Sequence, residues 1–370
     1  MRIALVAGTK GKGSTCAMLA SILGAAGVRC GLYTKPHLQA YRERIRVDGR
    51  AISACDFGVA AERLRSLLGG LPAAAGEPTT FEVTTAMALD VFYRARCDVA
   101  VVEVGLGGRL DATNATDPWL SVITPISYDH TDVLGRTLGA IAAEKAGILR
   151  PGRRALLAVQ RPAAARVLSR ACRQVGAVCE TVPPLPPESD LPLAGVHQRQ
   201  NAALAVAAAR GLIHASDAAI SRGLERVRWP GRFEVVPGQP PLVLDGAHNG
   251  ASADALARTL REYAAGRRIG LVVGINRDKD ARAVLRPLLA LTDRVWATQT
   301  ADNRRALAAG ELAQLCRRLG ARAQAQPELA AALDRARGET RDGVLCVTGS
   351  LMLVGQARDV LGLPPPETLW

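Results

Sequence analysis

The sequence contains no run of eighteen apolar residues, so no segment is expected to cross a membrane as a helix. It has no Cys-x-x-Cys pair either, and its eight cysteines (Cys16, Cys30, Cys55, Cys97, Cys172, Cys179, Cys316, Cys346) are scattered. That spacing gives neither a zinc site nor a disulfide framework, and a reducing, cytoplasmic compartment is the expectation. Aromatic residues are only 4%, and the four Trp and four Phe do not cluster among cations. A nucleic-acid face needs stacking platforms set in positive charge, so nucleic acid is not an expected partner. The opening Met1-Arg2-Ile3-Ala4-Leu5-Val6-Ala7-Gly8 reaches glycine too soon for the apolar stretch of a signal peptide. Acidic residues are the scarcer charge, 34 against 47 basic ones, and the net charge of +13 favours anionic ligands.

What is present is alternation. Hydrophobic residues make up 48% of 370 residues, a length that suits two domains, since single cores seldom grow past ~250–300 residues. Short apolar runs at Arg2–Val6, Val99–Val104, Leu120–Ile126, Leu242–Leu244, Ile269–Gly274, Arg294–Thr298 and Val344–Val347 read as strands. Helix-period segments lie between them, at Ser14–Ala26, Glu82–Arg96, Leu138–Ala146, Gln200–Leu212, Ser252–Ala264 and Leu312–Leu319. In the first of these Met18, Leu19, Ile22, Leu23 and Ala26 share one face. The alternation predicts α/β architecture with parallel sheets covered by helices. A proline-dense stretch at 183–190 and Trp229-Pro230-Gly231-Arg232 read as connections. The second is taken as the boundary, giving domains 1–228 and 233–370.

Strand Arg2–Val6 runs through Gly8-Thr9-Lys10-Gly11-Lys12-Gly13-Ser14 straight into a helix. Glycines let the backbone approach a ligand and take positive φ, and successive N–H groups at a helix N-terminus cradle phosphate. Lys12 would neutralise the β- and γ-phosphates and Ser14 would bind Mg²⁺. The loop departs from strict G-x-x-x-x-G-K-[ST]: Gly13 separates Lys12 from Ser14, and Val6 stands at the first glycine position.

Further matches follow in order: Lys35-Pro36-His37-Leu38, Glu43-Arg44-Ile45, Thr80-Phe81-Glu82, and Glu103-Val104-Gly105-Leu106-Gly107-Gly108-Arg109-Leu110-Asp111-Ala112-Thr113-Asn114. Then come Asp129-His130-Thr131, Glu144-Lys145-Ala146-Gly147, His197-Gln198 with Asn201, Trp229-Pro230-Gly231-Arg232, Asp245-Gly246-Ala247-His248-Asn249, Asp278-Lys279-Asp280 and Gly349-Ser350. Together with the alternate-glycine loop they resemble the folylpolyglutamate synthase/dihydrofolate synthase family of the Mur ligase superfamily, over nearly the whole chain. The resemblance implies a P-loop, Mur-ligase-like central parallel-sheet domain followed by a Rossmann-like α/β domain. It implies an ATP-dependent ligase adding L-glutamate to a pteroate or folate acceptor through an acyl phosphate, acting as a cytoplasmic monomer. A Mur-like amide ligase acting on a non-folate carboxylate is the competing reading.

By the same resemblance, Ser14, Glu103, His130 and Lys145 hold two Mg²⁺ ions, with Lys145 carrying a carbamate. Lys12, Glu103, His130 and Lys145 are the catalytic group. Gly8, Thr9, Lys10, Gly11, Lys12, Gly13 and Ser14 hold the phosphates, Arg232 reaches them, Asn201 meets the adenine, and Asp245 the nucleotide. His248 and Ser350 would serve the incoming amino acid, while Thr79, Phe81, Asp111 and Ala112 line the pterin pocket. Blander readings stand beside these: a solvated helix-end cation for Lys145, and an Asx-capped turn for 245–249. Three departures point towards a different or more anionic acceptor. The loop strand begins at Arg2 without a preceding helical segment, Lys35 stands where the family usually has serine, and Lys10 replaces an asparagine.

Overall fold

The computed structural model describes every residue except 71, 73–75 and 293. The first part of the chain runs β1 (Arg2–Ala7), α1 (Lys12–Ala25), β2 (Cys30–Tyr33), β3 (Ile45–Val47), β4 (Arg50–Ala51), α2 (Ala54–Leu68) and α3 (Thr80–Arg94). It continues with β5 (Val99–Glu103), β6 (Leu120–Ile123), α4 (Thr131–Leu134), α5 (Leu138–Ala146), β7 (Arg154–Ala158), α6 (Pro162–Val175) and β8 (Val178–Val182). Two helices, α7 (His197–Ile213) and α8 (Asp217–Arg226), complete it. The strands form one eight-stranded sheet in the order β4-β3-β2-β5-β1-β6-β7-β8. Every pairing is parallel except β2–β3 and β3–β4, so β3 alone runs against the others.

From β1 the chain crosses over α1 to β2 on one side, and β6 lies on the other, so strand order reverses at β1. Val6 pairs with Glu103 on one flank and with Val122 on the other. This register brings the glycine loop, Glu103 and the segment after β6 to one sheet edge, the crevice where α/β folds bind ligands. Helix α1 is buried on every side from Ser14 to Leu23, rather than on one face as its periodicity suggested. The sheet covers one side, and α7 and α8 cover the others. Gly223 lets α8 come close to Ile22, and Ser21 Oγ donates to Gly223 O at 2.6 Å.

The second part runs β9 (Glu234–Val236), β10 (Leu242–Leu244), α9 (Gly250–Ala264), β11 (Ile269–Val273), α10 (Ala281–Leu289), β12 (Arg294–Ala297), α11 (Ala309–Arg318), β13 (Arg322–Ala325), α12 (Leu329–Glu339), β14 (Val344–Thr348) and α13 (Leu351–Val360). Its six strands are ordered β13-β12-β11-β14-β10-β9, with only β9 antiparallel. After α13 the chain returns to the first sheet. Ala51 N donates to Glu367 O (2.9 Å), the Arg46 guanidinium to Pro366 O (2.6 Å), and Leu369 N to Gly49 O (3.1 Å). Leu369 enters the core around α1, and Trp370 lies against Gly24 and Gly49.

One expectation is corrected here: Cys172 and Cys179 form a disulfide. Gly176, in the left-handed region, turns the end of α6 into β8, and this brings two cysteines seven residues apart to a Cα separation of 6.2 Å. Among the described residues no helix is long and apolar enough to cross a membrane.

Candidate active site

The glycine loop is held from behind. Thr9 N and Lys10 N donate to Pro125 O (3.1 and 3.2 Å), and Thr9 Oγ1 donates to Ser127 O (3.1 Å). Gly11 caps α1 at φ 80°, a left-handed conformation, with the Asn201 side chain packed where a Cβ would stand. No acidic residue occupies the first turn of α1, so its N-terminal N–H groups face the cleft unneutralised. Ser14 is 4% exposed, and its hydroxyl makes no hydrogen bond among the described residues.

Glu103 ends β5, is 4% exposed, and accepts from Lys35 N at 3.2 Å. Burial raises its carboxyl above the ordinary value, with Lys12, Lys35 and Arg232 pulling the other way. Lys145, in the last turn of α5, is also 4% exposed. Its ammonium has no hydrogen-bond or ion-pair partner among the described residues, which removes the solvated reading. Burial, with help from Lys12, pushes its amine down to about 7 against the pull of Asp129 and Asp111. His130 caps the short α4 at φ 48°, with its side chain 47% exposed. Burial lowers its imidazole while Asp129 opposes.

The second sheet supplies the facing wall. Asp245, just past β10, accepts from Phe233 N (2.8 Å) and Ala247 N (2.9 Å). Burial raises its carboxyl, opposed by nearby Arg232. His248 Nδ1 lies 2.8 Å from Gly246 O, and burial holds the imidazole below its ordinary value. Asn249 caps α9, and its Nδ2 reaches across to Asp129 at 3.1 Å. Lys279 Nζ stands 3.8 Å from the same carboxylate. Burial raises Asp129, but His130, Lys279 and His248 outweigh it and hold the carboxyl low. Asp129 therefore joins the two walls, a role its motif did not announce.

The expected pterin-pocket residues lie behind the cleft wall or beside it. Phe81 and Asp111 both press on Gly105, which lines the cleft. Asp111 accepts from Leu106 N (2.7 Å) and Thr113 N (3.1 Å). Thr79 caps α3 in a capping box with Glu82, and Ala112 opens a 3-10 turn. Ser350 caps α13 through Met352 N (3.2 Å); its neighbour Leu351, not Ser350, lines the cleft. All other expected site residues meet in one cleft of about 590 Å³ between the two sheets. Seven basic side chains line it (Lys10, Lys12, Lys35, Lys145, Arg161, Arg232, Arg258) against three carboxylates (Glu103, Asp129, Asp245), an excess that remains without Lys145. A larger, more open hollow of about 820 Å³ beside Arg267, Arg337 and Arg341 holds none of these groups.

Comparison with known proteins matches residues 6–178 to the Mur ligase middle domain and residues 232–361 to the dihydrofolate synthetase C-terminal domain. The dihydrofolate synthase/folylpolyglutamate synthase of Escherichia coli is 33% identical over 96% of this chain and 86% of its own length. The chain belongs to the folylpolyglutamate synthase/dihydrofolate synthase family. A probable bifunctional folylpolyglutamate synthase/dihydropteroate synthase of Halobacterium salinarum is 39% identical over 95% of the chain, which spans only 46% of that relative. The family fold is also seen in the Mycobacterium tuberculosis folylpolyglutamate synthase complexed with ADP and AMPPCP. It has a TM-score of 0.93 and 34% identity, over 98% of this chain and 92% of that one. An E. coli family member in complex with DHPP and ADP gives a TM-score of 0.90 and 32% identity over 98% and 88%. A Yersinia pestis family member with Mn, AMPPNP and L-glutamate bound gives 0.86 and 33% over 98% and 90%.

A divalent ion fits the donors present. Ser14 and Glu103 offer hard oxygens at the phosphate loop, and the Ser14 hydroxyl lacks a partner among the described residues. Among the described residues no three His, Cys, Asp or Glu side chains converge closely enough to cage a metal. Ser14 and Glu103 would hold such an ion together with oxygens of a bound nucleotide and water, as is usual for Mg²⁺.

Proposed function

We propose that the protein is an ATP- and Mg²⁺-dependent ligase that adds L-glutamate to a pteroate or folate carboxylate. The observation that carries this is the excess of cations around a glycine loop in a cleft shared by two domains. A triphosphate, an acceptor carboxylate and glutamate together bring the negative charge such a cleft needs. The complexes of the E. coli and Y. pestis family members, with DHPP and ADP and with L-glutamate, support the choice of substrates.

In this reading the loop N–H groups and Lys12 hold the β- and γ-phosphates, and Arg232 reaches them from the second domain. An acceptor carboxylate oxygen attacks the γ-phosphorus and ADP leaves, giving an acyl phosphate. The glutamate nitrogen attacks the carbonyl carbon, inorganic phosphate departs, and the amine proton is lost. Asp245 and His248 would meet the incoming amine, and the neutral imidazole, with Nδ1 at Gly246 O, has Nε2 free to take that proton. Ser14, Glu103, His130 and Lys145 would hold two Mg²⁺ ions, which neutralise the phosphate charge when bound. An amine near 7 is largely unprotonated just above neutrality. Lys145 can therefore add CO₂, forming an N–C bond and losing a proton, and so become an anionic oxygen ligand. All the residues assigned here to the nucleotide and metals come from one chain, in keeping with a monomer, and ATP-driven synthesis fits the cytoplasm.

Incubation with glutamate, MgATP and dihydropteroate or folate should add one glutamyl residue by mass spectrometry. Lys12→Ala should lower turnover ~10²–10³-fold. Turnover with non-pterin acids alone would replace the acceptor and keep the chemistry.

A further inference from the structure

Lys35 stands apart from the other cleft lysines. Its main chain is anchored by the N–H donated to Glu103 Oε2 at 3.2 Å. Its ammonium makes no hydrogen bond and no ion pair among the described residues, and lies 5.3 Å from the centre of the Phe81 ring. That ring is itself fixed. It stacks on Tyr33 at 6.0 Å with an interplanar angle of 25°, and presses on Gly105. The Tyr33 hydroxyl is tied to Thr84 Oγ1 at 3.0 Å. Lys35 is thus a cation steadied by a ring face on one side and open to the cleft on the other.

Glu103 and Asp111 act on this ammonium electrostatically. Neither meets it in an ion pair, and both Asp111 oxygens already accept backbone N–H groups. An ammonium left without a partner at a shielded cleft wall is unfavourable until an anion arrives. In the ligase reading Lys12 and the loop N–H groups serve the phosphates. Lys35 lies instead beside the Phe81 ring, which presses on Gly105 of the cleft wall. The first chemical step also demands a cation there, because an acceptor carboxylate must approach a γ-phosphate of like charge.

We propose that Lys35 binds the reacting carboxylate of the acceptor and holds it against the γ-phosphate, making it the residue that selects an acid over its neutral analogue. This rests on the ligase reading given above.

The test is equilibrium binding of pteroate and its carboxamide, pteroamide, to the ADP-loaded protein, with the wild type compared with Lys35→Met and Lys35→Arg. The wild type should prefer the acid ~10-fold or more, the scale of a hydrogen bond to a charged group. Lys35→Met should bind pteroamide as the wild type does and lose the preference. Lys35→Arg should restore part of it. In turnover, Lys35→Met should raise KM for the acceptor acid and leave KM for ATP and glutamate in place. A preference that survives in Lys35→Met overturns the proposal, as does an equal loss for both ligands or a rise confined to KM for ATP. If the wild type binds neither compound, the pteroate reading falls and this proposal falls with it. If the wild type prefers pteroate and Lys35→Met does too, only the role of Lys35 falls.

Discussion

Lys145 occupies the last turn of α5, where a sequence shows only a basic residue answering a helix dipole. Its 4% exposure changes what it does to the protein. The folded-state amine sits near 7, against an ordinary 10.5. Below about 7 both folded and unfolded chains carry the proton, and the folded state bears the full cost of the buried charge. Between those two values the folded chain has released its proton while the unfolded chain keeps it, so stability rises with pH. In CO₂-free buffer at pH 7, Lys145→Met should therefore be more stable than the wild type, by roughly 4–5 kcal/mol. The gap should close as pH is raised towards 10, and calorimetry at several pH values checks both. Lys145→Met and Lys145→Arg should both lose turnover, and wild-type activity in bicarbonate should climb as pH passes through about 7. The presence of Glu103 and Ser14 in the cleft was legible from their places at a strand end and a helix start. The surroundings of Lys145 were not, because the burial comes from the packing of α5 and the charges that act on it, Lys12, Asp111 and Asp129, arrive from other elements. Nor was the bridge from Asp129 to Asn249 and Lys279, which joins residues 120 and 150 positions apart.

At the scale of elements, the strands apolar on both faces could be read. Uninterrupted runs such as Val99–Glu103 and Val344–Thr348 have no polar side to interrupt them. Edge strands were missed for the opposite reason. In β8, Glu180 and Thr181 face solvent, and β4 is only two residues long. Strand β2 is central but short, with Gly31 pressed against Phe92, so its signal lies in packing rather than composition. The periodicity of α1 showed one apolar face because Ala, Ser and Thr, small enough for close helix contact, do not register as core. The same contact makes a test. A Cβ at Gly223 would come within 2.7 Å of Ile22 N, so Gly223→Ala must push α8 off α1. The expected cost is about 1–3 kcal/mol in denaturant unfolding. Gly58, inside α2, has nothing within 4 Å of a would-be Cβ. Gly58→Ala should instead stabilise by about 0.5–1 kcal/mol. Equal effects from the two alanines would mean that helix propensity, not packing, decides both.

Across the whole molecule, two sheets with separate cores are tied by Arg358. Its guanidinium is buried, pairs with Glu234, and donates to Gln39 Oε1 (2.8 Å) and Pro364 O (2.8 Å). Gln39 belongs to the loop that carries Lys35, and Glu234 accepts from Gly231 N (2.9 Å), beside Arg232. Arg358→Ala leaves Glu234 and Gln39 without their partner, at an expected cost of about 3–5 kcal/mol. The unfolding transition should also broaden as the two halves lose their coupling. A transition as sharp as that of the wild type, at the same midpoint, would show that the halves are joined elsewhere.

The chain passes between its halves twice, at residues 229–233 and again where residues 364–370 return to β4 and the core around α1. A panel hung at one point swings in any direction; a panel hung at two turns only about the line through both. Were the two halves to part, two such fixings would confine the movement to one arc. Arg232 stands at the first of the two fixings, so it would travel least. The phosphate end of the cleft would then keep its shape, and the parts of the second wall farther from that line would move most.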